Sequence, residues 1–151
     1  MVLQPGYLSP LKNEGSSGTP LIQKLGIKPG LRMAVVRPPE SYFSSLGPLP
    51  TTVQFLKKPT ENMDFLHLFT KSKAETEKLF PGLKKALSPA GMLWVSWPKA
   101  ASKMPTDLND NVVRNIGLKN GLLDIKVCAV DEVWSGLKFV IPVKDREKVK
   151  K

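Results

Sequence analysis

Three consecutive segments decide the fold of this chain: Asp64-Phe65-Leu66-His67-Leu68-Phe69, the stretch from Ser72 to Leu87, and Gly91-Met92-Leu93-Trp94-Val95-Ser96-Trp97. The first and third are short, nearly continuous apolar runs, which are typical of strands buried on both faces of a sheet. The middle segment opens with a capping box, Ser72-Lys73-Ala74-Glu75, and repeats leucines every four residues, which predicts a helix. Pro81-Gly82 predicts a kink in that helix or its division into two. Together the segments indicate a parallel strand–helix–strand unit and an α/β fold.

Further elements extend this unit on both sides. Before it we predict a short helix over Leu21–Leu25 with Thr19-Pro20 as its cap, a strand over Arg32–Val36, a helical segment over Glu40–Leu46 and a strand over Thr52–Leu56. After it we predict a helix capped by Thr106 and ended by Asn120-Gly121, then a hairpin of strands Leu122–Asp131 and Leu137–Val143 around a loop that contains Trp134. The predicted architecture is three-layered, with a mostly parallel sheet and a C-terminal antiparallel hairpin.

The direction of the strand at 52–56 stays open at this point. Only Lys57 to Met63 joins it to the next strand, whereas a parallel crossover usually needs at least about 10–12 residues. Either this strand runs antiparallel at an edge of the sheet, or the link is stretched taut.

Composition predicts one domain without disulfides. Of the 151 residues, 1–18 are predicted to form a flexible arm, 19–143 a single α/β domain and 144–151 a basic tail. The lone cysteine, Cys128, fits a reducing compartment. No apolar run approaches the roughly 20 residues that span a bilayer, and Met1–Pro20 does not read as a signal peptide, so we expect a cytoplasmic protein without membrane association. The net charge of +10 favours anionic ligands or acidic partners.

The order of elements from Arg32 onward resembles a shortened, Rossmann-like class I S-adenosylmethionine-dependent methyltransferase fold. Leu25–Val36 resembles the lead-in to that family's first strand, and Leu83–Val95, with Pro89-Ala90-Gly91, resembles its later helix-turn-strand. More specifically, the runs Trp97-Pro98-Lys99, Pro105-Thr106-Asp107-Leu108 and Val127–Leu137 resemble a bacterial family of unknown function (domain of unknown function three thousand and fifty-two). That resemblance implies a fold and no established activity.

Two positions depart from the methyltransferase pattern. The family's glycine-rich turn after the first strand is Arg37-Pro38-Pro39-Glu40 here, and its two prolines remove two backbone donors. Lys57-Lys58 stands where an acidic residue would bind the ribose hydroxyls. We therefore predict that S-adenosylmethionine is not bound tightly in the usual pose, and the cofactor, if any, is unknown.

A ligand site is predicted at the carboxyl ends of the strands, where open α/β sheets bind small molecules. Positively charged residues follow several of these strands, and the indoles of two tryptophans could form apolar walls around an anionic group. Asp131 and Glu132 could act there as a base or bind hydroxyls, or could simply be solvated. Lys71 also follows a strand. Lys57 and Lys58 would lie at the same edge of the sheet if the strand before them is parallel. The predicted ligand-binding residues are Arg37, Trp97, Lys99, Lys103, Asp131, Glu132 and Trp134.

No catalytic residue or metal site is predicted. His67, the only histidine, lies within an apolar strand, and we interpret it and Trp94 as core residues. We interpret Cys128 as a small buried hydrophobic residue.

As function, we favour a non-catalytic domain that binds an anionic ligand or acidic partner at the strand carboxyl edge. The alternatives are a methyltransferase with an altered cofactor site and a basic nucleic-acid-associated protein, for which we expect only weak, salt-sensitive association. The oligomeric state is open.

Overall fold

The computed structural model describes residues 20–146. The predicted arm at 1–18, the capping residue Thr19 and positions 147–151 of the basic tail lie outside the described residues. The helices in this part of the chain are α1 (Leu21–Leu25), α2 (Tyr42–Leu46), α3 (Lys73–Ala86) and α4 (Asp110–Lys119), with 3-10 turns at Ala100–Ser102 and Val143–Asp145. The strands are β1 (Arg32–Val36), β2 (Gln54–Phe55), β3 (Met63–Phe69), β4 (Leu87–Pro98), β5 (Leu123–Ala129) and β6 (Trp134–Val140).

The strands form one sheet with the order β2-β1-β3-β4-β6-β5. Strands β1 to β4 are parallel, whereas β6 runs antiparallel to both β4 and β5. Helices α3 and α4 pack on one face of the sheet through Phe80, Leu83 and Ile116, and α1 and α2 pack on the other through Leu25 and Tyr42. The predicted three-layer α/β architecture with a C-terminal antiparallel hairpin is confirmed.

Strand β3 is central and apolar because both of its faces are covered. Leu66 and Leu68 contribute to the core beneath α3 and α4, and Phe65 and Phe69 to the core beneath α1 and α2. A strand that is buried on both sides needs an uninterrupted apolar sequence rather than an alternating one. The apolar run was therefore a correct signal for its place in the sheet.

The short strand β2 is parallel to β1, which settles the direction left open by the sequence. Met33 of β1 is in register with Phe55 at the end of β2 and with Phe65 near the start of β3. Because β2 ends level with the start of β3, the link between them crosses β1 without running back along a full strand. Arg32 secures this link, donating from Nη2 to Thr60 Oγ1 at 3.0 Å and to the carbonyl of Glu61 at 3.2 Å.

The structure differs from the sequence prediction at several strand ends, and also at the cap of α4, at the proline of α3 and at the hairpin loop. Asn109, not Thr106, caps α4, because its Oδ1 accepts from the amide of Val112 at 2.9 Å. Thr106 instead donates to the carbonyl of Lys71 at 2.6 Å and so ties this segment to the turn before α3. Helix α3 is continuous through Pro81 rather than divided. Trp134 begins β6 and is not a loop residue, since its backbone pairs with Pro98 of β4.

Within residues 20–146, none of the helices has the length and hydropathy of a membrane-spanning segment. After β6 the chain forms the 3-10 turn Val143–Asp145, and Arg146 donates from Nε to the carbonyl of Ile141 at 2.9 Å.

Close packing of α4 against β6 yields a stability prediction. A Cβ on Gly117 would lie 2.1 Å from Cε1 of Phe139, which is fully buried. We expect Gly117→Ala to lower the free energy of unfolding by about 1–3 kcal/mol, the usual cost of overpacking. The matched control is Gly82→Ala in α3, where nothing lies within 4 Å and alanine should stabilise the helix by up to about 1 kcal/mol. Urea denaturation of both variants checks this, and a harmless Gly117→Ala would contradict the helix–sheet packing.

Candidate functional site

A cavity of about 640 Å³ opens at the carboxyl ends of β1 and β3, beside the turn between β5 and β6. We call it the carboxyl-edge cavity. Its lining comes from the loop after β1, the turn between β3 and α3, the segment after β4 and the hairpin turn. The lining residues are Arg37, Pro38, Pro39, Ser41, Phe69, Thr70, Lys71, Glu75, Met104, Asp131, Val133 and Trp134.

An ion pair between Arg37 and Glu75 joins two sides of this cavity. Arg37 follows β1 directly and adopts a left-handed backbone with φ +59°, a conformation that disfavours residues with a Cβ. Glu75 lies in the first turn of α3, where its amide donates to Ser72 Oγ at 3.2 Å. Only that half of the predicted capping box is formed, because the Glu75 carboxylate is used by Arg37. An anionic ligand would have to compete with Glu75 for this guanidinium.

The apolar wall of the cavity consists of aromatic rings and a methionine. Phe69 at the end of β3 meets Trp134 edge to face, with ring centroids 5.1 Å apart. Trp134 is only 7% exposed, so most of its indole is packed and a limited part faces the cavity. Met104 completes this side. Rigid aromatic walls of this kind suit a flat apolar group.

The hairpin turn is shaped by Asp131. Its Oδ1 accepts from the backbone amides of Val133 and Trp134, both at 2.8 Å. The amide of Lys99 donates to the carbonyl of Val133 at 2.7 Å, which fastens the turn to the end of β4. Asp131 therefore fixes the position of Trp134 in the wall, a structural task that the sequence analysis did not assign to it.

A buried polar network lies behind the wall. His67 hydrogen-bonds through Nδ1 to the hydroxyl of Tyr42 at 2.9 Å and through Nε2 to Ser96 Oγ at 2.7 Å. Its ring stacks on Phe69 with centroids 4.2 Å apart. Complete burial lowers the pKa of His67 to about 3, and burial raises the pKa of Tyr42. His67 is thus neutral and satisfied in the core, as the sequence predicted, and it supports the cavity wall from behind.

The structure gathers some of the predicted site residues and separates others. Arg37, Asp131 and Trp134 share the carboxyl-edge cavity, together with Lys71. Trp97, Lys99, Lys103 and Glu132 are not among the residues that line it. Trp97 packs into the core beneath α3 and α4, on the face of the sheet opposite Trp94. Lys103 and Glu132 are exposed. Binding of a ligand by any of the seven residues stays a prediction.

Sequence reasoning missed three residues that define this cavity. Phe69 was assigned only to a strand, although its position as the last strand residue places it at the ligand edge. Glu75 was interpreted as a capping residue, and no local signal reveals its partner Arg37, which is 38 residues away. Met104 lies in an irregular segment with no recognisable pattern.

The residues present do not fit S-adenosylmethionine in its usual pose. Pro38 and Pro39 line the cavity where backbone donors would be needed, and neither has an N–H. Arg37 places a long side chain where close approach to the backbone would require glycine. Lys57 and Lys58 follow the shortened β2 and do not line the cavity. No acidic residue is thus supplied by β2 for a ribose.

Comparison with solved structures shows the methyltransferase fold. The chain is similar to magnesium protoporphyrin IX methyltransferase of Synechocystis PCC 6803 crystallised with bound S-adenosylmethionine, with 12% identity, a TM-score of 0.55, and 80% of this chain and 74% of that chain covered. It is also similar to an S-adenosylmethionine-dependent methyltransferase from Aquifex aeolicus (15% identity, TM-score 0.52, coverage 79% and 86%). The chain is similar as well to Aeropyrum pernix fibrillarin with natively bound S-adenosyl-L-methionine (11% identity, TM-score 0.53, coverage 80% and 73%).

At these identities the likeness establishes a shared fold and not a shared activity. A scan against protein-family models gives no match, and a search of curated proteins gives none. Membership of the bacterial family of unknown function therefore stays a prediction, whereas the methyltransferase-like fold is confirmed.

Burial of His67 yields a pH prediction. In the unfolded chain this imidazole takes up a proton near pH 6.5, but in the folded chain only near pH 3. Between these pH values the unfolded state binds more protons than the folded state. The contribution of His67 to the free energy of unfolding is therefore fully present above about pH 6.5, and it decreases as the pH falls, by at most about 1.4 kcal/mol per pH unit. Because the chain has one histidine, its NMR signals are unambiguous. We expect them not to titrate between about pH 8 and pH 5; a midpoint near 6.5 would contradict the buried network.

Proposed function

We propose that the protein is an S-adenosylmethionine-dependent methyltransferase with an altered cofactor site, and that the carboxyl-edge cavity holds the ligand. One observation carries the proposal: in a fold shared with such methyltransferases, the cavity lies at the carboxyl ends of parallel strands. The comparisons favour this alternative over the non-catalytic domain preferred from the sequence, because two of the similar structures named above are methyltransferases and the third holds bound S-adenosyl-L-methionine.

The cavity offers a different set of contacts from the usual one. Its cations, Arg37 and Lys71, suit the carboxylate of an amino-acid group, and Arg37 can present a planar fork to it. Its aromatic wall, with Phe69 and Trp134, suits a flat nucleobase. Neither a glycine-rich turn nor a ribose-binding acid contributes to this cavity. We therefore expect a lower affinity for S-adenosylmethionine than in methyltransferases that use both. No side chain of the cavity is assigned a catalytic step.

A second candidate is a non-catalytic domain that binds another anionic ligand in the same cavity. The observation that favours it is the pair Arg37–Glu75 next to Pro38 and Pro39. This arrangement provides a guanidinium for an anion but lacks the backbone donors on which the usual cofactor pose depends.

Calorimetry with S-adenosylmethionine and S-adenosylhomocysteine tests the proposal. We expect both to bind with a dissociation constant weaker than about 1 μM, and Lys71→Ala or Arg37→Ala to weaken binding about tenfold, which corresponds to about 1.4 kcal/mol. The matched control is Arg114→Ala, which removes the arginine of the other described ion pair, with Asp124, away from the cavity. This control should bind like the parent.

Two results would decide against the methyltransferase interpretation. One is the absence of any heat or thermal stabilisation at millimolar ligand, since a ligand at a hundredfold its dissociation constant stabilises by about 2.7 kcal/mol. The other is equal weakening by Arg114→Ala. Stabilisation by simple dicarboxylates or phosphates that depends on Arg37, without any response to S-adenosyl compounds, would establish the second candidate.

A further inference from the structure

Four lysines gather on the face of the sheet that α1 covers, and none of them lines the carboxyl-edge cavity. We call them the lysine cluster: Lys24, Lys28, Lys126 and Lys138. They come from α1, the loop after it, β5 and β6. Lys126 and Lys138 are directly opposite each other in the antiparallel pair of β5 and β6. Like charges in that relation destabilise a sheet, so their presence needs a compensating partner.

The ammonium groups of two of these lysines, Lys126 and Lys138, lie beside the end of α1. Lys126 donates from Nζ to the carbonyl of Lys24 at 3.2 Å, and Lys24 donates from Nζ to the carbonyl of Ala129 at 3.4 Å. The Nζ of Lys138 lies 3.8 Å from the place that a Cβ on Gly26 would take. Strands β5 and β6 therefore direct two positive charges to the end of α1, and the charge of Lys28 also acts on Lys138.

None of the four cluster lysines forms an ion pair with an acidic side chain within residues 20–146. The ion pairs found there, Arg37–Glu75 and Arg114–Asp124, involve none of the four lysines. The side chains of Lys28 and Lys138 make no hydrogen bond with another residue in this part of the chain, although Lys138 is half-buried. Burial, with the charges of Lys126 and Lys28, lowers the pKa of Lys138. The carboxyl end of a helix carries only about half an elementary negative charge, which does not offset four ammonium groups.

We propose that the lysine cluster is a second binding site, specific for a compact polyphosphate anion. Lysines are flexible point charges, which suit phosphate oxygens, whereas planar carboxylates are better matched by arginine. Lys126 and Lys138 present their ammonium groups at one place, the end of α1, instead of along a stripe, and no aromatic residue of the cluster offers a stacking platform. Both features favour a compact anion over an extended nucleic-acid backbone.

Cys128 provides a local reporter for this site. It is the only cysteine in the sequence, and it lies two residues beyond Lys126 on the same face of β5. Burial raises the pKa of the Cys128 thiol, while the nearby charges of Lys24, Lys126 and Lys99 oppose that rise. A dianionic aromatic disulfide reagent should therefore be attracted to this thiol, whereas a neutral dithiodipyridine should not. The ratio of the two reaction rates measures the local potential independently of exposure.

The experiment compares two double variants of equal net charge. Lys126→Gln/Lys138→Gln removes two cluster lysines, and the control Lys78→Gln/Lys85→Gln removes two exposed lysines of α3. We expect inorganic triphosphate to bind the parent in calorimetry, to bind the cluster variant at least tenfold more weakly, and to bind the control like the parent. The ratio of anionic to neutral reagent rates should fall several-fold in the cluster variant alone, and triphosphate should protect Cys128 from the anionic reagent.

Several outcomes would overturn the proposal. They are the absence of triphosphate binding to the parent, or an equal loss of affinity in the two double variants, which would indicate attraction by net charge only. A DNA duplex that binds the parent more tightly than triphosphate, and that loses affinity in the cluster variant, would also overturn it in favour of a nucleic-acid surface. Because the cluster variant leaves Arg37 and Lys71 in place, its binding of S-adenosyl compounds reports on the carboxyl-edge cavity separately.

Discussion

The short link from Leu56 to Asn62 is the constraint on which the architecture and the site both depend. A parallel crossover of normal length carries a helix, and this link is too short for one. The sheet accommodates it by reducing β2 to two residues, level with the beginning of β1 and β3. The residues after β2 are then held back from the carboxyl edge by the contacts of Arg32. The site consequently lacks the second strand's contribution and is built from β1, β3 and the hairpin.

The central strand β3 joins the core to that site. Its interior residues are buried on both faces, and its last residue, Phe69, forms part of the cavity wall. Between them His67 is held by Tyr42 and Ser96 and stacks on Phe69. A buried network that is fully hydrogen-bonded specifies one arrangement of its members, whereas an unsatisfied one would be costly. The wall is therefore positioned by the core and not by loop residues alone.

How much the sequence predicted depends on the range of the interactions. Local patterns sufficed to locate β1, β3, α3 and the hairpin, although not the exact ends of the hairpin strands, because apolar runs and the Ser72 cap report on their own surroundings. They failed at α4, where Thr106 and Asn109 are equally suitable caps and a tertiary bond to Lys71 decides between them. In the site, Arg37 and Trp134 could be found from topology. The partnership of Arg37 with Glu75 could not, since nothing local to either residue encodes it.

The central claim is that ligand binding occurs at the carboxyl edge without any contribution from β2. Amide NMR spectra recorded during a titration with S-adenosylmethionine test it most directly, because each backbone position reports separately. We expect the largest shifts at Phe69–Lys71 and Val133–Trp134, which line the cavity, and no shift at Lys57 and Lys58. Shifts concentrated at Lys57 and Lys58 would contradict it, because the end of β2 would then belong to the site.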